Sequence, residues 1–305
     1  MNREENVPLK QRMARGERLL GILVRTPATM LIDMAGHNGY DFVLLDTEHG
    51  FADQQVLADH VVAARAVGLP TIVRIGGGEA ALALRVLDAG AEGIVVPHVQ
   101  SAEQAVDAVR AAHYPPLGDR GFATYTPAGR WGKAAGSEHA ADAARRTVVV
   151  AMVEDAQGVE NAGAIAGTEG VDALWVGLSD LGATLGYDAG AADVACRQVW
   201  AAAQEAGAPV LALASDAKGV GAAFDSGAQL VVLNAQAAID RCLGDWAQAG
   251  ATYISHPNES HPNESHPNES HPNESHPNES HPNESHPNES HRTSPTRTRA
   301  RNVNG

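Results

Sequence analysis

The sequence predicts an α/β protein, a (β/α)8 TIM barrel followed by a disordered low-complexity tail, and three observations carry that reading. Short β-branched runs alternate with Ala-rich amphipathic stretches over residues 1–254, the signature of stacked βα units around a parallel sheet. Those 254 residues allow about 32 for each of eight units, which suits a barrel of ~250 residues. The Gly-rich turn that a dinucleotide-binding, doubly wound sheet places after its first strand is missing, so that architecture is the second choice.

The elements follow in order. Leu20–Val24 is the first apolar run, and Thr29–Asn38 follows with apolar residues at helical spacing. Phe42–Asp46 leads through a polar loop into the helical stretch Gln54–Val67. Thr71–Ile75 precedes Gly76-Gly77-Gly78, read as a flexible loop because the spacing of a phosphate-binding fingerprint is absent, and then the helix Glu79–Ala89. Gly93–Pro97 pairs with the helix Ala102–His113, and Gly121–Tyr125 is a ninth candidate strand, one more than the barrel needs. Beyond the helix Glu138–Arg145 come Thr147–Glu154 with Gly158–Ile165, and Ala173–Gly177 with Asp193–Ala206. Val210–Ala214 with Ala217–Asp225, and Leu230–Leu233 with Ala235–Gln248, complete the set.

The composition changes after Ile254, which sets the expected domains at 1–254 and 255–305. From His256 to Ser290 the pentapeptide His-Pro-Asn-Glu-Ser repeats seven times, and the end of the chain adds four arginines. Such a segment has almost no apolar side chain to bury and is expected to stay disordered. A competing reading makes its histidines a metal-binding or partner-binding module. Pro in every unit opposes this, because five residues of extended chain span ~15 Å, whereas zinc holds nitrogens at about 2.0–2.1 Å. Loose binding is the most that geometry allows.

Charge and apolar content exclude several roles. The chain has 22 Lys+Arg against 37 Asp+Glu, a net −15, of which the tail contributes −3 and residues 1–254 the remaining −12. No basic footprint points to nucleic acid. No apolar stretch reaches the ~20 residues of a membrane span, and the polar start Met-Asn-Arg-Glu-Glu-Asn is no signal peptide, so a cytoplasmic location is expected. Without export, the Asn-Glu-Ser sequons of the tail are idle. Cys196 and Cys242 lie far apart and read as packed thiols on helices.

In a barrel, chemistry belongs at the C-terminal ends of the strands. Four apolar strands deliver polar residues there: Phe42–Asp46 runs into Thr47-Glu48-His49-Gly50, Thr71–Ile75 carries Arg74, Thr147–Val153 ends on Glu154, and Ala173–Gly177 runs into Leu178-Ser179-Asp180. Glu154 and Asp180 suit a hard cation such as Mg²⁺ or Mn²⁺, or else are carboxylates resting at helix N-termini. His49 reads equally as a base or as a hydrogen-bonded strand-end histidine. Arg74, beside apolar strand residues, needs an anionic partner from protein or ligand. His98 ends another strand and is a weaker pocket candidate, while His37, His60, His113 and His139 read as surface or packing residues. Trp131, Trp175, Trp200 and Trp246 read as core or interface.

The run Tyr40-Asp41-Phe42-Val43-Leu44-Leu45-Asp46-Thr47-Glu48-His49-Gly50 resembles the first active-site segment of the metal-dependent (class II) pyruvate aldolases of the 4-hydroxy-2-oxoheptanedioate and 2-dehydro-3-deoxyglucarate type. Val73-Arg74, Leu87-Asp88-Ala89-Gly90-Ala91 with Val95-Val96-Pro97, Tyr114-Pro115-Pro116 through Arg120-Gly121, Val153-Glu154, and Gly177 through Asp180-Leu181 to Leu185-Gly186 follow in the family's order. The resemblance implies reversible aldol cleavage of a 4-hydroxy-2-oxo acid to pyruvate and an aldehyde. It makes Glu154 and Asp180 ligands of Mg²⁺ or Mn²⁺, with Co²⁺ a further candidate, and Glu48 a holder of metal-bound water. His49 becomes the base, Asp88 its orienting partner, Arg74 the cation beside the keto oxygen, and Gly177, Ser179 and Met152 join Arg74 around the substrate. It further implies a homo-oligomer, trimer or hexamer, in which the last helix, Ala235–Gln248, packs on a neighbouring subunit. A Schiff-base route lacks its lysine: Lys10, Lys133 and Lys218, the only lysines of residues 1–254, lie in loops or helices.

The pattern departs from the family at three places. Met152 stands where many relatives place a Gln, and Leu178 and Gly182 replace a Pro and a Ser. In those relatives the Gln hydrogen-bonds around pyruvate, which a thioether cannot do, and the resemblance then implies an altered acceptor pocket. The departures leave room for oxaloacetate decarboxylation or the decarboxylative bond formation of macrophomate-synthase-like relatives. A CoA-thioester lyase of the citrate-lyase β type is disfavoured, because no Arg/Lys cluster is present for the CoA phosphates.

Overall fold

Eight parallel strands close on themselves in sequence order: β1 (Leu19–Val24), β2 (Phe42–Asp46), β3 (Thr71–Arg74), β4 (Gly93–Val96), β5 (Val148–Val153), β6 (Ala173–Val176), β7 (Val210–Ala214) and β8 (Leu230–Asn234). The computed structural model describes residues 7–50, 53–134 and 136–255; the repeat tail lies outside the described residues. Around the sheet run α1 (Leu9–Ala14), α2 (Thr29–His37), α3 (Gln54–Ala66), α4 (Ala80–Asp88), α5 (Ala102–Ala112) and α6 (Gly136–Arg146). They are followed by α7 (Ala156–Glu160), α8 (Ala162–Ala166), α9 (Leu178–Thr184), α10 (Ala189–Ala206), α11 (Ala217–Asp225) and α12 (Ala235–Ser255).

The strands read as unbroken apolar runs because both faces are covered. One face points inward: Leu19, Leu23, Phe42, Leu44, Ile72, Val95, Val148, Val150, Met152, Ala173, Trp175, Leu211, Leu230 and Val232 form a single buried cluster, closed from below by Leu9 and Met13 of α1. Gly21 makes room for Phe42, since a Cβ there would run into its ring. The outward face packs on the helices in separate clusters, one over β1 to β4 and one over β5 and β6. Four of the helices that follow strands start on carboxylate or hydroxyl caps: Asp53 accepts from the Val56 amide, Ser101 from Gln104, Asp155 from Gly158 and Asp216 from Gly219.

Eight of the nine expected strands form, and Gly121–Tyr125 does not. β4 pairs directly with β5, Gly93 with Val148 through Val96 with Ala151, so no place in the ring remains for it. Phe122 and Tyr125 are exposed in the intervening segment. Gly158–Ile165 divides into α7 and α8 at Asn161, whose side-chain amide donates to the Gln100 carbonyl. Two short helices escaped the periodicity, α1 and α9, each too brief to show a repeat. Cys196 and Cys242 are free thiols on helices, the second exposed rather than packed.

Candidate active site at the C-terminal rim

Alternation along the strands decides which side chains reach the rim. Above Phe42 and Leu44 the next inward residue of β2 is Asp46, above Ile72 on β3 it is Arg74, and above Val148 and Val150 on β5 come Met152 and then Glu154. Strand pairing sets Asp46 beside Arg74. Their side chains meet face to face: Arg74 Nε donates to Asp46 Oδ1 at 2.9 Å and Nη2 to Oδ2, the bidentate fork that makes a buried guanidinium tolerable. Arg74 is 3% exposed and Asp46 1%. Burial alone would raise the Asp46 carboxyl, but Arg74, the His49 amide and Arg25 together hold it below the usual carboxylate range. The remaining Arg74 nitrogen, Nη1, lies 3.3 Å from Glu48 Oε2 and 3.8 Å from Met152 Sδ, and the guanidinium carbon sits 5.5 Å from the Trp175 ring centroid.

The loop after β2 wraps over this pair. The Glu48 and His49 amides both donate to Asp46 Oδ1, and the Thr47 amide and hydroxyl both donate to the Arg74 carbonyl. Glu48 is thereby placed between three cationic or ionisable groups: Arg74, His49 Nε2 at 3.7 Å and His98 Nε2 at 3.7 Å. The His49 side chain stays about half exposed and lines the cavity.

Glu154 is 2% exposed and belongs to a second cluster. Its Oε1 accepts the His98 amide at 2.7 Å, with His98 Nδ1 3.1 Å away, and His98 holds a left-handed backbone, φ 55°, to do so. Such a conformation is uncommon outside glycine and is kept where the surroundings enforce it. Oε2 has no hydrogen-bond partner among the described residues and faces Gly177, where a Cβ would collide with it. Burial raises the Glu154 carboxyl above its ordinary range, and the charges of Asp180 and Glu48 push the same way against the His98 contacts. Convergent carboxylates with no Lys or Arg paired to Glu154, and an oxygen left open beside a glycine, are what a divalent cation requires of its protein ligands, so the residues present fit a hard metal. Among the described residues no group of three or more His, Cys, Asp or Glu forms an all-protein metal site.

His49, Arg74, Met152, Gly177, Ser179 and Asp180 line one cavity of about 360 Å³, and Glu48 and Glu154 stand behind its lining, against Arg74 and Gly177 respectively. Asp88 does not join. It ends α4, which runs back down the outside of the barrel, and its carboxylate pairs with Arg120 Nη2 at 2.6 Å. Within the chain its carboxylate is engaged by Arg120, and the carboxylate beside the His49 imidazole is Glu48. Sequence reading also passed over Asp46, Arg25 and the cavity-lining Trp175. The first two were legible as charged residues at the ends of apolar strands, the same signal that singled out Arg74.

The same segments carry the relationship to known proteins. The chain is 34% identical over 216 residues to the 2-keto-3-deoxy-L-rhamnonate aldolase of Klebsiella pneumoniae, covering 68% of this chain and 80% of that one. It is also 34% identical over 238 residues to the hydroxypyruvate/pyruvate aldolase of Paraburkholderia phytofirmans, covering 75% of this chain and 91% of that one. A crystal structure of an HpcH/HpaI aldolase/citrate lyase family protein from Burkholderia cenocepacia superposes with a TM-score of 0.74 at 30% identity, over 80% of this chain and 98% of that one. Residues 21–238 match the family model, from β1 into α12, and take in every strand that builds the rim. By fold, by the order of its rim segments and by this match, the chain belongs to the HpcH/HpaI aldolase/citrate lyase family.

Proposed function

We propose that the protein is a divalent-metal-dependent pyruvate aldolase that reversibly cleaves a 4-hydroxy-2-oxo acid into pyruvate and an aldehyde. The observation that carries this reading is the open Glu154 oxygen against Gly177, itself part of the lining of the cavity that Asp180, Arg74 and His49 share. Glu154 and Asp180 would hold Mg²⁺ or Mn²⁺, with Glu48 nearby to accept from coordinated water. A divalent cation so bound polarises a 2-oxo acid's keto group and favours loss of a proton from the carbon beside it.

The chain's own residues supply the rest. Arg74, locked by Asp46, presents a fixed positive charge to the keto oxygen as negative charge develops there, and no side-chain movement is needed at that moment. His49, exposed to the cavity with Glu48 3.7 Å from its Nε2, removes the methyl proton of pyruvate in the synthetic direction and returns it in cleavage. Gly177 and Ser179, at the start of α9, form the floor against which the small 2-oxo acid rests. Lys10 is tied to Asp172 and the Thr147 carbonyl at the opposite end of the barrel, and neither Lys133 nor Lys218 lines the cavity, so a Schiff-base route finds no lysine there.

We also place the working form as a homo-oligomer assembled through α12, supported by the apolar residues that helix leaves exposed, Ile239, Leu243, Trp246 and Tyr253. A cytoplasmic setting accords with the described residues, none of whose helices is long and apolar enough to cross a membrane. A second reading, decarboxylation of oxaloacetate through the same enolate chemistry, is favoured by Met152, whose thioether replaces a hydrogen-bonding group against Arg74.

The test does not need the acceptor. Pyruvate in D₂O should lose its methyl proton signal in the presence of protein and Mg²⁺ or Mn²⁺, and His49→Ala should slow that exchange by about 10²–10⁴-fold. Asp180→Asn should weaken cation binding in calorimetry. Absence of metal-dependent exchange at saturating pyruvate would refute the aldolase reading.

A further inference from the structure

β4 ends in a kink that lets one residue hold Glu154 twice. The Val99 amide donates to the Met152 carbonyl of β5, while His98, just before it, turns to φ 55° and points its own amide at Glu154. That amide reaches Glu154 Oε1 at 2.7 Å, and the ring nitrogen Nδ1 stands 3.1 Å from the same oxygen. An imidazole nitrogen so close to a carboxylate oxygen attracts it when it carries the ring proton. Nε2 lies 3.7 Å from Glu48 Oε1. The side chain is 54% exposed and borders a second cavity of about 760 Å³, beside α4 and α5, so these contacts rather than core packing hold the ring in place.

The carboxylate is left asymmetric. Oε1 has an amide and an imidazole against it, whereas Oε2 faces Gly177 and has no hydrogen-bond partner among the described residues. Each carboxylate oxygen offers two lone pairs, and two nitrogens against Oε1 leave that oxygen little to give a metal. A cation therefore meets Glu154 through one oxygen. Burial fixes the arrangement, because the Glu154 side chain is 1% exposed and has no room to turn. Ca²⁺ gathers about six to eight oxygens and readily takes both from one carboxylate, whereas Mg²⁺ and Mn²⁺ settle for octahedral sets in which a carboxylate gives one.

We propose that His98 is a positioning residue of the metal centre: by occupying Glu154 Oε1 with its amide and its ring, it makes Glu154 a one-oxygen ligand through Oε2 and so selects Mg²⁺ or Mn²⁺ against Ca²⁺. This rests on the metal-dependent reading of the site and adds to it the device that sets the cation preference.

The experiment measures Mn²⁺ and Ca²⁺ affinity by calorimetry on the full chain, with the heat that survives in Asp180→Asn, repeat tail included, subtracted as background. Glycine accepts φ 55° and keeps the amide contact, so His98→Gly removes the ring alone. Asparagine also tolerates that backbone and carries a side-chain NH₂ close to where Nδ1 stands, whereas glutamine puts its NH₂ one bond further out. The parent should bind Mn²⁺ about tenfold or more tighter than Ca²⁺. His98→Gly should weaken Mn²⁺ by about 10–100-fold, the usual cost of losing a partner behind a metal ligand, while Ca²⁺ changes little and the preference collapses. His98→Asn should restore most of the preference and His98→Gln little of it. A merely structural role would weaken both cations alike and leave their ratio, which overturns the proposal, as does a parent with no preference. Should His98→Gly fail to fold, Asn and Gln variants of equal preference overturn it too. A parent that binds neither cation defeats the metal-dependent reading and this proposal with it, whereas binding with an unmoved ratio defeats this proposal alone.

Discussion

His113 shows how one buried residue ties stability to pH. It is 3% exposed, its Nε2 has no hydrogen-bond partner, and burial together with the cations Lys10 and Arg120 lowers its pKa from 6.5 to about 4. Because the folded value lies below the unfolded one, the unfolded chain takes up a proton first as pH falls. Stability is then complete above about pH 6.5 and is lost down to about pH 4. Between pH 7 and pH 5 this group alone should cost about 2 kcal/mol. Urea titrations at both values should show that loss in the parent and a loss smaller by that amount in His113→Leu; equal losses would mean that the imidazole is already charged in the fold. The sequence showed this histidine only as a packing residue, because its burial and the neighbouring Lys10 come from segments far apart in the chain. The same limit applies to Asp88, whose partner Arg120 is 32 residues away and whose place at the lower end of α4 no motif reveals.

Among the elements, α12 departs most from what its sequence would do in a self-contained barrel. Ile239, Leu243 and Trp246 lie at helical spacing on one face, and Tyr253 follows at the next returns of that face, yet all four are exposed. An apolar stripe normally turns inward, so this helix is fit to be covered by another copy. Leu243→Glu with Trp246→Glu should lower the mass seen in sedimentation while the far-ultraviolet circular dichroism stays that of a barrel. An unchanged mass would remove α12 from the interface. Strands were legible nearly to the residue because each is an apolar run bounded by turns, whereas α9 was missed. Its seven residues carry too few apolar positions to mark a period, and only its docking beside Gly177 makes it a helix that presents Asp180 to the rim.

For the molecule as a whole, the repeat tail is the clearest claim composition makes. Residues 256–305 hold no apolar side chain larger than Pro and Val, so their removal should leave the melting temperature and the pyruvate exchange rate unchanged; a fall of several degrees would show that the segment packs on the rest. The eight-unit count, the strand order and the rim addresses of His49, Arg74, Glu154 and Asp180 follow from local sequence, because alternation of apolar runs and helices and a change to polar residues at strand ends are short-range signals. What only the tertiary structure decided is which of those rim groups face one another. Asp46 binding two arginines, His98 bent over Glu154, Gly177 leaving one oxygen open and Asp88 carried to the far end all depend on barrel closure and strand register, which bring together residues tens of positions apart.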